Sequence, residues 1–217
     1  MKRSNPTVFL IPLIIVLIAT LAVGYNHYRQ NQANKALEAS YQQALSIGNI
    51  NGRSAPDFHL VDQNGKPFSL SNFRGKVVVL SFIDPECVDI CPILSAEIRQ
   101  ANSLLGSSAA KNVAFVAVNV NQYHASTKDV MDFTKAHGLD SLANWYFGTG
   151  STKALEAIWK NYGIQVTPAK TGDIQHSSFV FFIDKTGHER YIAGATADKA
   201  AMNTWAHGIA FYVKKIS

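Results

Sequence analysis

Three runs of the chain, residues 77–83, 113–120 and 179–183, are apolar almost throughout, the pattern of strands buried on both faces. The segments between them read differently. Residues 92–105, 127–136 and 152–162 predict helices. The second can be capped by Ser126 or Thr127 and the third by Ser151, with Gly138 and Gly163 just past their ends. Between these two helices, Trp145-Tyr146-Phe147 predicts a short aromatic strand. Residues 58–61 and 68–70 flank the turn signal Asp62-Gln63-Asn64-Gly65, which predicts a hairpin at the entry to the domain. A second hairpin is expected where residues 179–183 meet 190–192 across Asp184-Lys185-Thr186-Gly187-His188. Residues 164–175, with Pro168 and Gly172, suggest a small flap before the third apolar run, and a helix over 198–213 closes the chain. Strands alternating with helices, then a terminal hairpin and helix, predict an α/β fold: a thioredoxin-like domain with an N-terminal hairpin, over residues 52–217.

The N-terminal end has another pattern. Residues 8–25 carry no charge and follow a short lead, residues 1–7, that contains Lys2 and Arg3. As a helix the run would reach about 27 Å, enough for a bilayer core. Tyr25 and Tyr28 suit the interface, and the positive lead should stay cytoplasmic, sending the rest of the chain outside. A single transmembrane helix is therefore expected, in a bacterial cell membrane, with the domain extracytoplasmic. The competing reading is a cleaved signal with Thr20-Leu21-Ala22 as its small-x-small site. Residues 26–51 are polar, partly helical in pattern around 35–45, and read as a stalk.

Composition adds little beyond this. The chain of 217 residues, 47% hydrophobic, allows one good-sized domain and an appendage. A net charge of +5 with scattered basic residues does not point to nucleic acid as a partner.

Chemistry concentrates in Asp84-Pro85-Glu86-Cys87-Val88-Asp89-Ile90-Cys91-Pro92, which holds both cysteines of the chain. If a helix begins near Cys87, the two thiols form an i, i+4 pair on one face. The helix N-terminus would favour thiolates there. Two thiolates and one imidazole make a good Cu(I) site. Of the seven histidines, His176 is the candidate third donor, because it stands in the loop entering the 179–183 strand. A disulfide between Cys87 and Cys91 would close too small a loop to stabilise much. A pure dithiol oxidoreductase usually carries Cys-x-x-Cys, one residue shorter.

Cys87, Cys91 and Pro92 after the first core strand, with His176 opening a later one, resemble the Sco/SenC family of copper proteins. The similarity extends to Ala55-Pro56-Asp57-Phe58, Leu70-Ser71-Asn72-Phe73-Arg74-Gly75-Lys76, Tyr162-Gly163-Ile164 and Phe182-Ile183-Asp184. The resemblance implies a metal site of Cys87, Cys91 and His176 holding copper as Cu(I) or Cu(II), with Asp89 supporting the ligands without touching the metal. It implies a metallochaperone for cytochrome c oxidase assembly, whose partner is the copper subunit of the oxidase. Cys87 and Cys91 would also be a redox pair able to reduce the acceptor's cysteines. The chain departs from the family at Val88, in the approach Ile83-Asp84-Pro85-Glu86, and in Asn119-Val120-Asn121-Gln122-Tyr123-His124-Ala125, where many members have Asp-Pro-x-x-Asp-Thr-Pro. The alternative is an extracytoplasmic thiol-disulfide oxidoreductase of the redoxin group. Within that group a peroxidase would want Thr three residues before its cysteine, where this chain has Asp84.

Overall fold

The computed structural model describes residues 7–50, 52–171, 174–194 and 202–217, and the side chains of these from residue 16 on, residue 202 excepted. It divides into two compact units, Met1–Ser40 and Tyr41–Ser217. The first is helical over its described part, within α1 (Thr7–Ala44). The stalk is thus more helical than expected: between Tyr25 and Ala44 there is no glycine or proline, and Ala, Gln, Lys, Glu and Leu are good helix formers. Among the described residues no helix is long and apolar enough to cross a membrane. The side chains of residues 8–15, nearly half of the expected anchor, lie outside that description, as do lead residues 1–6.

The second unit starts earlier than residue 52. Leu45 is fully buried, and β1 (Gly48–Asn49) adds a strand to the main sheet. The expected entry hairpin forms from β2 (His59–Val61) and β3 (Pro67–Ser69). Then come β4 (Val77–Ile83), α2 (Ile90–Ala110), β5 (Val113–Asn119), α3 (Thr127–Ala136), β6 (Trp145–Gly148) and α4 (Thr152–Tyr162). A small hairpin of β7 (Val166–Thr167) and β8 (Gln175–His176) is followed by β9 (Phe179–Ile183), β10 (Glu189–Gly194) and α5 (Met202–Lys215). The expected start of the last helix, 198–201, lies outside the described residues.

The main sheet runs β1-β10-β9-β4-β5-β6, with β4, β5 and β6 parallel and β9 antiparallel to β4. Every residue of β4 and β5 is buried, because both faces of the sheet are covered. Alternation divides their side chains. Val77, Val79, Val113 and Phe115 pack with Leu94 and Ile98 of α2 and with Trp205 and Ile209 of α5. Val78, Leu80, Val116 and Val118 pack with Leu60, Phe68, Leu155 and Trp159 on the opposite face. Ser126 accepts from the Asp129 N–H and Ser151 from the Ala154 N–H, the two caps expected from sequence. Gly163 closes α4 in the left-handed conformation, φ 67°.

One buried group works against stability. Glu97 of α2 is 3% exposed, and its Oε1 has no hydrogen-bond partner among the described residues. Burial pushes its carboxyl up from the usual 4.5 to about 8. Between those values the folded chain holds a proton that the unfolded chain has released, so stability falls as pH rises through that window. Glu97→Gln should therefore shrink the drop in urea midpoint between pH 5 and pH 8. An undiminished drop would assign it to other groups.

Candidate functional site

The site grows from the end of β4, where the strand leaves the sheet at Ile83. Asp84, 1% exposed, folds the next residues back on itself: its Oδ1 accepts from the Glu86 N–H at 2.9 Å and its carbonyl from the Cys87 N–H at 3.1 Å. This turn delays the helix. Helix α2 begins at Ile90, so Cys87 lies ahead of it and only Cys91 sits in its first turn. The expected pair on one helix face is therefore replaced by a sulfur that precedes the helix. The Cys91 N–H donates to Cys87 Sγ at 3.4 Å, placing sulfur where a capping oxygen usually stands.

Neither cysteine is in a disulfide, and Cys87 is 9% and Cys91 2% exposed. The hydrogen bond to Cys87, then burial, push the Cys91 thiol well above its ordinary range. An entering metal has to displace that proton. Asp89 stands at the N-cap position, exposed, and its side chain does not cap the helix. The buried acid at the cysteines is Asp84.

His176 lies within β8, opposite Val166 in the small hairpin. Its Nδ1 is 3.1 Å from the Ser177 carbonyl, an acceptor only, so Nδ1 carries the hydrogen and the Nε2 lone pair is left for a metal. Burial holds its pKa below the ordinary histidine value, which favours the neutral, ligating form. Asp173, three residues before His176 in sequence, lies outside the described residues.

The cysteine loop and the histidine hairpin adjoin. Asp84 Oδ2 accepts from the Ile174 N–H at 3.1 Å, two residues before the histidine, and the charge of Asp84 acts on both His176 and Cys91. Cys91 also shares a small apolar cavity with Phe82, Ile90, Leu94, Ser178 and Phe179. The three candidate ligands nevertheless do not close around one point: among the described residues no three His, Cys, Asp or Glu side chains form a metal-holding group. The structure brings Cys87 and Cys91 together and leaves His176 on the hairpin alongside.

Three neighbours were not singled out as site residues from sequence. Asn121, in the loop after β5, donates from Nδ2 to Asp84 Oδ1 at 2.9 Å, and its Oδ1 accepts from the Tyr123 and His124 N–H groups. His124 Nδ1 then lies 3.5 Å from Glu86 Oε1, putting a second imidazole on the rim of the cysteine loop. Between the sulfurs, Val88 is 82% exposed. The available signal was Asx residues directly after two buried strands, where they fold turns.

The donor set, two thiol sulfurs and an imidazole with a free Nε2, fits a soft ion. The family model described as SCO1/SenC matches residues 49–210. A putative copper-binding protein of Stutzerimonas stutzeri is 25% identical over 142 residues, 64% of this chain and 68% of that protein. The thiol-disulfide oxidoreductase ResA of Geobacillus kaustophilus is 30% identical over 139 residues, covering 64% and 68%. Copper-bound ScoI of Arabidopsis thaliana superposes with a TM-score of 0.63 at 17% identity, over 75% of this chain and 99% of that one.

Proposed function

This chain belongs to the SCO1/SenC family, and from that premise we propose that it binds copper through Cys87, Cys91 and His176 and delivers it to the copper subunit of cytochrome c oxidase. The observation that carries the reading is the pair of thiols, outside any disulfide and in side-chain contact, beside a hairpin that presents a neutral imidazole with its Nε2 lone pair available. Copper is the cargo. The two sulfurs would lose their protons as they take the ion, and a movement of the β7–β8 hairpin would add the imidazole. A three-ligand ion keeps a coordination position open for an incoming thiolate of the acceptor, so transfer would proceed by ligand exchange. The uncharged run 8–25 would anchor the chain in a bacterial cell membrane, with the domain extracytoplasmic.

A second reading has its own support, the similarity to the oxidoreductase ResA. One thiolate of the pair would attack an acceptor disulfide and the other would resolve the mixed disulfide. The acceptor gains two electrons and two protons, and Cys87 and Cys91 end as a disulfide.

Copper titration of the reduced protein separates the two readings. Because His176→Ala removes one of three donors and leaves both thiols, it should weaken cupric binding by about tenfold or more while leaving disulfide reduction unchanged. Equal copper affinity in the variant and the parent would remove His176 from the site and leave the dithiol reading.

A further inference from the structure

Three donors from three separate parts of the chain converge on one buried side chain. Asp84 Oδ1 accepts from the Glu86 N–H and from Asn121 Nδ2, each at 2.9 Å, and Oδ2 accepts from the Ile174 N–H at 3.1 Å. Glu86 belongs to the cysteine loop, Asn121 to the loop after β5 and Ile174 to the approach to β8. The last two partners lie 37 and 90 residues away in sequence. Asp84 and Asn121 also fall in the two stretches where the chain leaves the family's usual pattern, and they are bonded to each other.

We propose that Asp84 is a positioning residue that ties the histidine-bearing hairpin to the cysteine loop, with Asn121 bracing it from the third side. The identity of the side chain matters because all three contacts are donors, and a carboxylate accepts at both oxygens. An asparagine at this position turns its NH2 toward a donor in either orientation. The orientation that keeps two of the three contacts, those to Glu86 and Asn121, abandons Ile174 and leaves that buried donor unpaired, while the reverse orientation loses two contacts to keep one. The Ile174 bond is two residues from His176, so its loss frees the imidazole while the sulfurs keep their own contact through Cys91 N–H. Asp84 touches no cargo in this scheme; it acts by fixing where the third ligand waits.

The test has one arm without metal and one with it, and only the second rests on the copper reading above. In the reduced, metal-free protein, amide exchange at Ile174 should be at least about tenfold faster in Asp84→Ala and in Asp84→Asn than in the parent. The double variant Asp84→Asn with Asn121→Asp lets the new amide donate to the new carboxylate and accept from Ile174, and should restore slow exchange. In the metal arm the protein is loaded with Cu(II) and the imidazole modulation in pulsed electron paramagnetic resonance is followed. That modulation should vanish in Asp84→Ala and return in the double variant, a rescue that a general loss of stability would not produce. Circular dichroism establishes that each variant is folded. Should Asp84→Ala fail to fold, Asp84→Asn carries the same two readouts. An Ile174 amide that exchanges at the parental rate without the carboxylate overturns the proposal, as does imidazole modulation that survives in a variant with fast exchange. If the parent itself lacks the modulation, the copper reading fails, and the metal-free arm alone decides whether Asp84 is the tether.

Discussion

Cys87→Ala should lower the protein's affinity for Cu(I) by more than about 100-fold, beyond the 10- to 100-fold cost typical of losing a residue that only supports a ligand. The reason lies in the thin donor set. Cys91 and the imidazole of His176 would be left to hold the ion, and Cys91 would lose the sulfur that its N–H contacts at 3.4 Å. Competition against a chelator of known Cu(I) affinity measures the change. A loss of less than about tenfold would mean that this sulfur is not a ligand. Because Cys87 precedes α2 rather than standing inside it, the helix should survive the substitution, and the melting temperature provides that control.

The second large effect concerns the framework. Phe182→Ala should cost about 3–5 kcal/mol of stability, the range for emptying a buried phenylalanine site. Phe182 is fully buried in β9, paired with Val79 of β4 on one side and Tyr191 of β10 on the other, and its ring packs 5.9 Å from that of Tyr212 in α5. Four elements meet at that ring, so the space left behind cannot collapse by moving any one of them. Urea unfolding gives the number directly. A cost below about 1 kcal/mol would show that the sheet repacks there, contrary to the close-packed interior described.

Much of this framework was legible in the sequence because the strands that matter are continuous apolar runs. Val77–Ile83 and Phe179–Ile183 carry their burial in their composition, and Ser126, Ser151 and Gly163 mark helix ends by local hydrogen bonding and backbone geometry alone. Strand β1 was not legible, since two residues have no period and are held by pairing with Tyr191 and Ile192 far along the chain. The candidate site divided in the same way. The contact between Cys87 and Cys91 follows from their closeness in sequence, whereas His176, carried on the β7–β8 hairpin, does not close with them around one point among the described residues. The condition that would have put both thiols on one helix face is not met, because Asp84 captures the Glu86 and Cys87 N–H groups in a turn ahead of α2. Asp89 is exposed and does not cap the helix, whereas Asp84 is buried and accepts from Asn121 and Ile174, 37 and 90 residues away, contacts that no window of neighbours reveals.

The small difference in exposure between the two cysteines, 9% against 2%, sets the expected order of their oxidation by peroxide. Cys87 should become a sulfenic acid first, and the Cys91 thiol, in side-chain contact with it, should then displace water and close a disulfide. Damage therefore halts at a step that a mild reductant reverses, before the sulfinic and sulfonic stages are reached.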